Sequence, residues 1–258
     1  MQRFKCQLIS APALILLLAA PLSSFNANSW AATPAASKPT VNAKPQSQLS
    51  PEAAKEAANA IFSAIQQRDA NKRYNQFSDE LKQTSSPAMV LSTLNNLPDL
   101  ISWTINKVNT GLRSSSVSAE LKTAKGLQQV TLVLNQKGLL VAQLFNAEGQ
   151  PSTKVAEGFV KAISQGQFIT ARSYMSLDFQ KELPPAAVQR KWQELLRETG
   201  NFQRIRKVTE AEHTNSSKLV LVETDFNRLS DSLFIIMNAK NQIIGVDFPT
   251  DAQPKPVR

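Results

Sequence analysis

The sequence predicts an α+β fold: two tandem copies, each of three helices packed on a curved antiparallel four-stranded sheet. Three observations carry this expectation. Apolar residues recur at helical spacing through residues 50–97 and again through 155–199. Each helical block is followed by stretches that alternate with period two and are separated by turn residues. The two blocks also match one another at a nearly constant offset, as a duplicated fold requires.

In the first copy, Ser50-Pro51-Glu52 supplies an N-cap, a proline at the first helical position and an acid in the first turn. The stripe Ala54, Ala57/Ala58, Ile61, Phe62 and Ile65 then lies on one helical face. A second helix carries Tyr74, Phe77 and Leu81; Ser86-Pro87 opens a third with Val90, Leu94 and Leu97, stopped by Pro98. Strands are expected at 101–105, 114–122, 129–134 and 139–145, the last two joined by a turn at Asn135–Gly138.

Ala147–Pro151 reads as the break between copies. The order then recurs. Helix 155–165 buries Val155, Phe159, Val160 and Ile163, and helix 168–181 buries Phe168, Ala171, Met175 and Phe179. The third helix begins at Pro184-Pro185, carries the stripe Val188, Trp192, Leu195 and Thr199, and stops at Gly200. Strands follow at 202–212, 218–226, 232–237 and 242–248. Ile61 matches Phe159, Phe77 matches Met175, Pro87 matches Pro185 and Val90 matches Val188; further on, Asn135 matches Asn238 and Phe145 matches Phe248. Trp192 corresponds to Leu94, and the first copy has Pro98 where the second has Leu196, so its third helix ends earlier.

The ends belong to neither copy. Residues 1–31 have the order of a secretory signal: Arg3 and Lys5, an apolar run through 8–22, then Ser29-Trp30-Ala31 as a cleavage site. The apolar run is short for a membrane span, which needs about 20 residues; an uncleaved anchor is the alternative. Residues 32–49 are a polar, proline-containing linker and 250–258 a polar tail, leaving the copies at 50–147 and 152–249. The only cysteine, Cys6, lies in the signal, so no disulfide, thiolate metal site or cysteine nucleophile is expected in the mature chain. The net charge of +9 is spread along the chain, and more than half of it sits in the signal, linker and tail. That excludes a nucleic-acid footprint as the reading of the charge.

The second copy resembles a known family. The helices AEGFVKAISQGQF and ARSYMSLDFQKEL, the pattern W-x7-G-x-F at Trp192, Gly200 and Phe202, and the ending IIGVDFP are similar to the bacterial domain of unknown function 3887. The resemblance covers 153–249 well and 50–146 weakly. It implies a nuclear transport factor 2-like (cystatin-like) fold and an exported protein. Members of that family are often fused to an α/β-hydrolase, but no G-x-S-x-G elbow occurs here. The family brings no catalytic set.

Candidate residues are weighed against plainer roles. Trp192, Tyr174, Phe202 and Phe226 are expected to line an apolar pocket in the second copy, although Trp192 also fits a core stripe. Glu223, Asp225 and Asp247 invite proton-transfer chemistry with Tyr174, but strand alternation places the carboxylates on a solvated face. His213 is the only histidine and falls in a polar turn, where a general base or ligand has no second histidine or cysteine to work with. Tyr74 and Tyr174 fall in the two second helices; Arg190, Lys191, Arg204, Arg206 and Lys207 form the densest basic group. No catalytic residue, metal site or cofactor is assigned. The expected function is that of an exported non-enzymatic binding or interaction protein of the envelope. Its partner would be another envelope protein or an apolar small molecule, not nucleic acid, and no transmembrane segment remains after signal cleavage. The alternative is an isomerase or hydrolase using Asp247, Glu223 or Tyr174.

Overall fold

The computed structural model describes residues 48–248; the expected signal, most of the linker and the tail lie outside them. Helix α1 (Pro51–Gln66) starts where the sequence signals it, with the Ser50 hydroxyl accepting from the Ala53 N–H at 3.1 Å. Its face of Ala54, Ala58, Ile61 and Phe62 is buried. Helix α4 (Pro87–Asn96) is capped in the same way by Ser86. Between them the expected second helix is two short ones, α2 (Ala70–Asn75) and α3 (Asp79–Gln83).

The division has a physical cause. At Phe77 the chain leaves the helix and forms a single parallel bridge to Leu140, with the Leu140 N–H donating to the Gln76 carbonyl and the Ser78 N–H donating to the Leu140 carbonyl, both at 2.8 Å. Phe77 is thereby fully buried, and the Ser78 side chain caps the restart. Strands β1 (Leu100–Asn109), β2 (Ser114–Thr123), β3 (Gly126–Asn135) and β4 (Leu140–Phe145) follow as an antiparallel meander in that order. The β3–β4 turn closes on the Asn135 side chain, whose Oδ1 accepts from the Lys137 and Leu139 N–H groups, while Gly138 takes a φ of +74°.

The second half repeats the order: α5 (Ser152–Ser164), α6 (Phe168–Arg172), α7 (Leu177–Glu182), α8 (Pro185–Thr199), then β5 (Phe202–His213), β6 (Ser217–Phe226), β7 (Ser230–Asn238) and β8 (Ile243–Asp247). Here too the second helix is broken, with Met175 bridging Ile243 as Phe77 bridges Leu140. Asn238 Oδ1 accepts from the Lys240 and Gln242 N–H groups, matching Asn135. The correspondence read from sequence therefore extends to backbone hydrogen bonding. One match changes: Tyr174 sits in the turn between α6 and α7, not in a helix, at the place Gln76 holds in the first half.

Each half has its own apolar core between helices and sheet, and Tyr174 packs against both. The segment read as a break is docked rather than free: Ala147 is buried, and Asn241 donates to the Gln150 carbonyl at 2.7 Å. The halves are further joined by Phe145 N–H to the Ser173 carbonyl at 2.7 Å, Ala186 N–H to the Thr84 carbonyl at 3.0 Å, and the Gln180 amide to the Gln143 carbonyl at 3.0 Å. The described residues accordingly form one compact unit. In both sheets one margin, β4 or β8, is met at its first residue by the bridge. The other, β1 or β5, has no neighbouring strand among the described residues, and its register is interrupted by bulges at two places in β1 and three in β5.

Candidate functional site

Three of the four residues expected to line an apolar pocket close on one another. Trp192, 3% exposed, lies 5.9 Å from Phe202 and 6.1 Å from Phe226 between ring centroids, and Phe202 and Phe226 are 6.0 Å apart. Such a triad is packed core. The W-x7-G-x-F pattern has a structural basis of the same kind. Trp192 meets Phe202 because Gly200, at φ +88°, turns the chain from α8 into β5, and a Cβ there would fall 1.8 Å from Asn227 Oδ1.

Tyr174 stands apart from the triad. Its ring meets Phe145 edge-on at 4.9 Å, and its hydroxyl rests on Gly158 of α5, where a Cβ would come within 2.7 Å. Burial pushes the Tyr174 phenol pKa up. The hydroxyl has no hydrogen-bond partner among the described residues and opens on a cleft of about 710 Å3. The cleft is bounded by the C-terminal end of α4, the β2–β3 hairpin, the turn after β4, and the faces of α5 and α6. It is lined by Asn96, Gln128, Gln129, Asn146, Gln150, Gln165 and Gln167, together with Thr170, whose hydroxyl is also unpartnered among the described residues. Gln167 is only 5% exposed, and its amide donates to the Asn96 carbonyl at 3.2 Å and to Gln165 Oε1 at 2.7 Å. These bonds fix one wall of the cleft to the other.

Sequence reasoning named only Tyr174 among these residues. The amides come from separate element ends, where each reads as an ordinary solvated cap or turn residue, so no local pattern marks them.

The carboxylates lie elsewhere. Val220, Val222, Thr224 and Phe226 of β6 face the core, so Glu223 and Asp225 point to the opposite face. There Arg206 donates to Glu223 at 2.8 Å and Arg204 to Asp225 at 2.9 Å. The Arg204 hydrogen bond, with a second from Ser230, holds the Asp225 carboxyl below its usual range. Asp247 is exposed on β8. The expected alternative with these carboxylates beside Tyr174 in a pocket is thus corrected by the strand alternation itself. Arg204 and Arg206 of the basic group are thus partners to that acidic face, and Lys191 sits 5.9 Å from the Phe248 ring.

His213 ends β5 rather than occupying a turn, and its Nδ1 is 3.1 Å from Glu210 Oε1. The Ser152 hydroxyl, donating to Glu210, holds that carboxyl below its usual range. Tyr74, in α2, is half-buried, with its hydroxyl 3.5 Å from the Lys82 carbonyl. Among the described residues no three His, Cys, Asp or Glu side chains are placed to hold a metal ion, and no helix is long and apolar enough to cross a membrane.

The second half carries the family signal expected from its motifs. Residues 156–246 match the family described as Protein of unknown function (DUF3887). The DUF3887 segment runs from α5 into β8 and supplies Gly158, Gln165, Gln167, Thr170 and Tyr174 to the cleft. The opposite wall comes from the first half, outside the matched residues. No curated protein matches the chain. Among solved structures, a cystatin-like protein from Ruminococcus gnavus ATCC 29149 aligns over 78% of this chain and 90% of its own, at 9% identity and a TM-score of 0.29.

Proposed function

We propose that this chain is an exported, non-enzymatic binding protein of the cell envelope, built from two tandem nuclear transport factor 2-like copies, with its ligand seat in the cleft between them. The observation that carries this reading is the Tyr174 hydroxyl, half-buried, unpartnered among the described residues and opening on that cleft. The hydroxyl faces the cleft with its donor and acceptor functions unused by the protein, so an occupant can exchange water there for a direct hydrogen bond, worth about 0.5–1.5 kcal/mol net. The cleft volume falls within the roughly 300–1,000 Å3 of small-molecule sites. The N-terminal order of charged, apolar and small residues supports export. The expected apolar ligand is replaced by a polar one, because the apolar triad in the second half is filled.

The test is native mass spectrometry of the purified protein after incubation with a small-molecule extract of the envelope. The wild type should retain an adduct, and Gln128→Trp, which fills the cleft from the end of β3, should lose it. An adduct that survives Gln128→Trp, or none in the wild type, overturns the proposal.

A further inference from the structure

We infer that the outer face of the second sheet is a homodimer interface, on which a second copy of this chain packs face to face. On that face Leu219 and Leu221 of β6 pair with Ile236 and Phe234 of β7, and Ile244 stands next to Gly245, the β8 partner of Ile236. None of these residues lines the cleft. Phe234, Ile236 and Ile244 are 41%, 42% and 40% exposed although they adjoin one another. Apolar side chains scattered singly over a surface are ordinary, whereas a contiguous group marks an interaction site. The first half shows that the fold does not require them. Counted from the matching turn residues Asn135 and Asn238, its equivalents are Ser116, Ser118 and Thr131, with Val133 in place of Ile236. Val133 is only 9% exposed, and the Ser118 and Thr131 hydroxyls hydrogen-bond to each other at 3.1 Å.

The charges and dimensions of the face point to its occupant. Its two margins carry opposite charges: Lys207 on β5 and Asp247 on β8 are exposed and have no ion partner among the described residues. Lys207 pairs in register with Glu223 and Asp247 with Phe234, so both project from this same face. A two-fold axis running along the strands between β6 and β7 sets β5 of each copy over β8 of the other, as in aligned sheet packing. Leu221 then meets Phe234, Leu219 meets Ile236 and Lys207 comes near Asp247, each contact made twice as a two-fold interface requires. An anionic membrane would be repelled by Glu223, Asp225 and Asp247 on the same face, so the mixed charge favours a protein surface bearing both signs. Four strands, with β7 nine residues long, span roughly 19 by 30 Å. With side-chain relief added, that is the scale of the ~800 Å2 per partner of a stable interface.

The experiment is sedimentation velocity on the purified protein over a concentration series from about 0.5 to about 200 μM, where mass action reveals a reversible monomer–dimer equilibrium. Leu221→Ser with Phe234→Thr, which installs the first half's residues, should raise the dimer dissociation constant at least about 30-fold, because each change counts twice across the axis. Leu112→Ser, which removes a 76% exposed leucine between β1 and β2, should leave it unchanged. Lys207→Asp should weaken the dimer, and adding Asp247→Lys should restore it. Circular dichroism melting verifies that every variant is folded. A protein monomeric throughout the series overturns the proposal; if that monomer pellets with phosphatidylglycerol vesicles and the Leu221→Ser, Phe234→Thr variant does not, the face belongs to lipid instead. A dimer indifferent to the double substitution overturns this face as the interface. A dimer that the second charge reversal fails to restore overturns the arrangement of β5 over β8.

Discussion

Gly158 occupies the middle of α5, where a glycine costs a helix about 1 kcal/mol relative to alanine. The structure gives the reason for tolerating it: an added Cβ would stand 2.7 Å from the Tyr174 hydroxyl and 2.9 Å from its ring Cζ. Replacing Gly158 with alanine therefore sets two effects against each other. Helix propensity favours the variant by about 1 kcal/mol, while forcing an extra methyl into packed surroundings costs about 1–3 kcal/mol. The net expectation for Gly158→Ala is a loss of roughly 0–2 kcal/mol. In a Tyr174→Ala background the obstruction is gone, and the same substitution should stabilise by about 1 kcal/mol. The coupling between the two positions is then about 1–3 kcal/mol. Thermal unfolding followed by circular dichroism on the four proteins of the cycle reads this directly, since about 1 kcal/mol moves Tm by ~2–4 °C in a body of this size. If Gly158→Ala raises Tm equally in both backgrounds, Tyr174 does not lie over Gly158, and the account of its hydroxyl at the cleft is wrong.

Two further outcomes follow from polar groups away from the cleft. Arg73 is 4% exposed, has an unpaired Nη1 and rests 4.9 Å above the Phe77 ring, and burial pulls its pKa down to about 9. Because a buried cation without a carboxylate is costly, Arg73→Met should stabilise by ~1–4 kcal/mol in urea unfolding, and a loss of stability would show that the guanidinium is compensated. Asp225 has a folded-state pKa below its unfolded value, so its ionised form contributes stability above the usual carboxylate range, lost as pH falls through the folded value. Asp225→Asn should therefore be less stable than wild type near neutrality and converge with it in acid; a difference constant across the series refutes the Arg204 partnership.

Much of the fold was legible because its signals are local. Ser50 and Ser86 cap helices as their side chains suggest, and Asn135 and Asn238 close matching turns. The stripe of Val188, Trp192, Leu195 and Thr199 is buried as its spacing indicates. The broken second helix was not legible, because Tyr74, Phe77 and Leu81 keep helical spacing across the break. Periodicity reports which residues face the core, whereas the break is made by a hydrogen-bonded bridge to Leu140, far along the chain. The outward carboxylates could be read from alternation. The cleft could not, because it exists only where two halves meet and its amides share no element.

The uneven margins of the two sheets bear on how the protein behaves in a crowd. A growing fibril needs a straight row of free backbone donors and acceptors to template the next chain. Here the bridges at Phe77 and Met175 occupy the first residue of β4 and of β8, and the bulges of β1 and β5 break the row on the other side, with Arg204, Arg206 and Lys207 set along β5 as charged guards. A margin started by a bridge on one side and thrown out of step on the other is a poorer template for strand-by-strand accretion than a straight, unguarded edge, which matters for a fold in which eight of the sixteen elements among the described residues are strands.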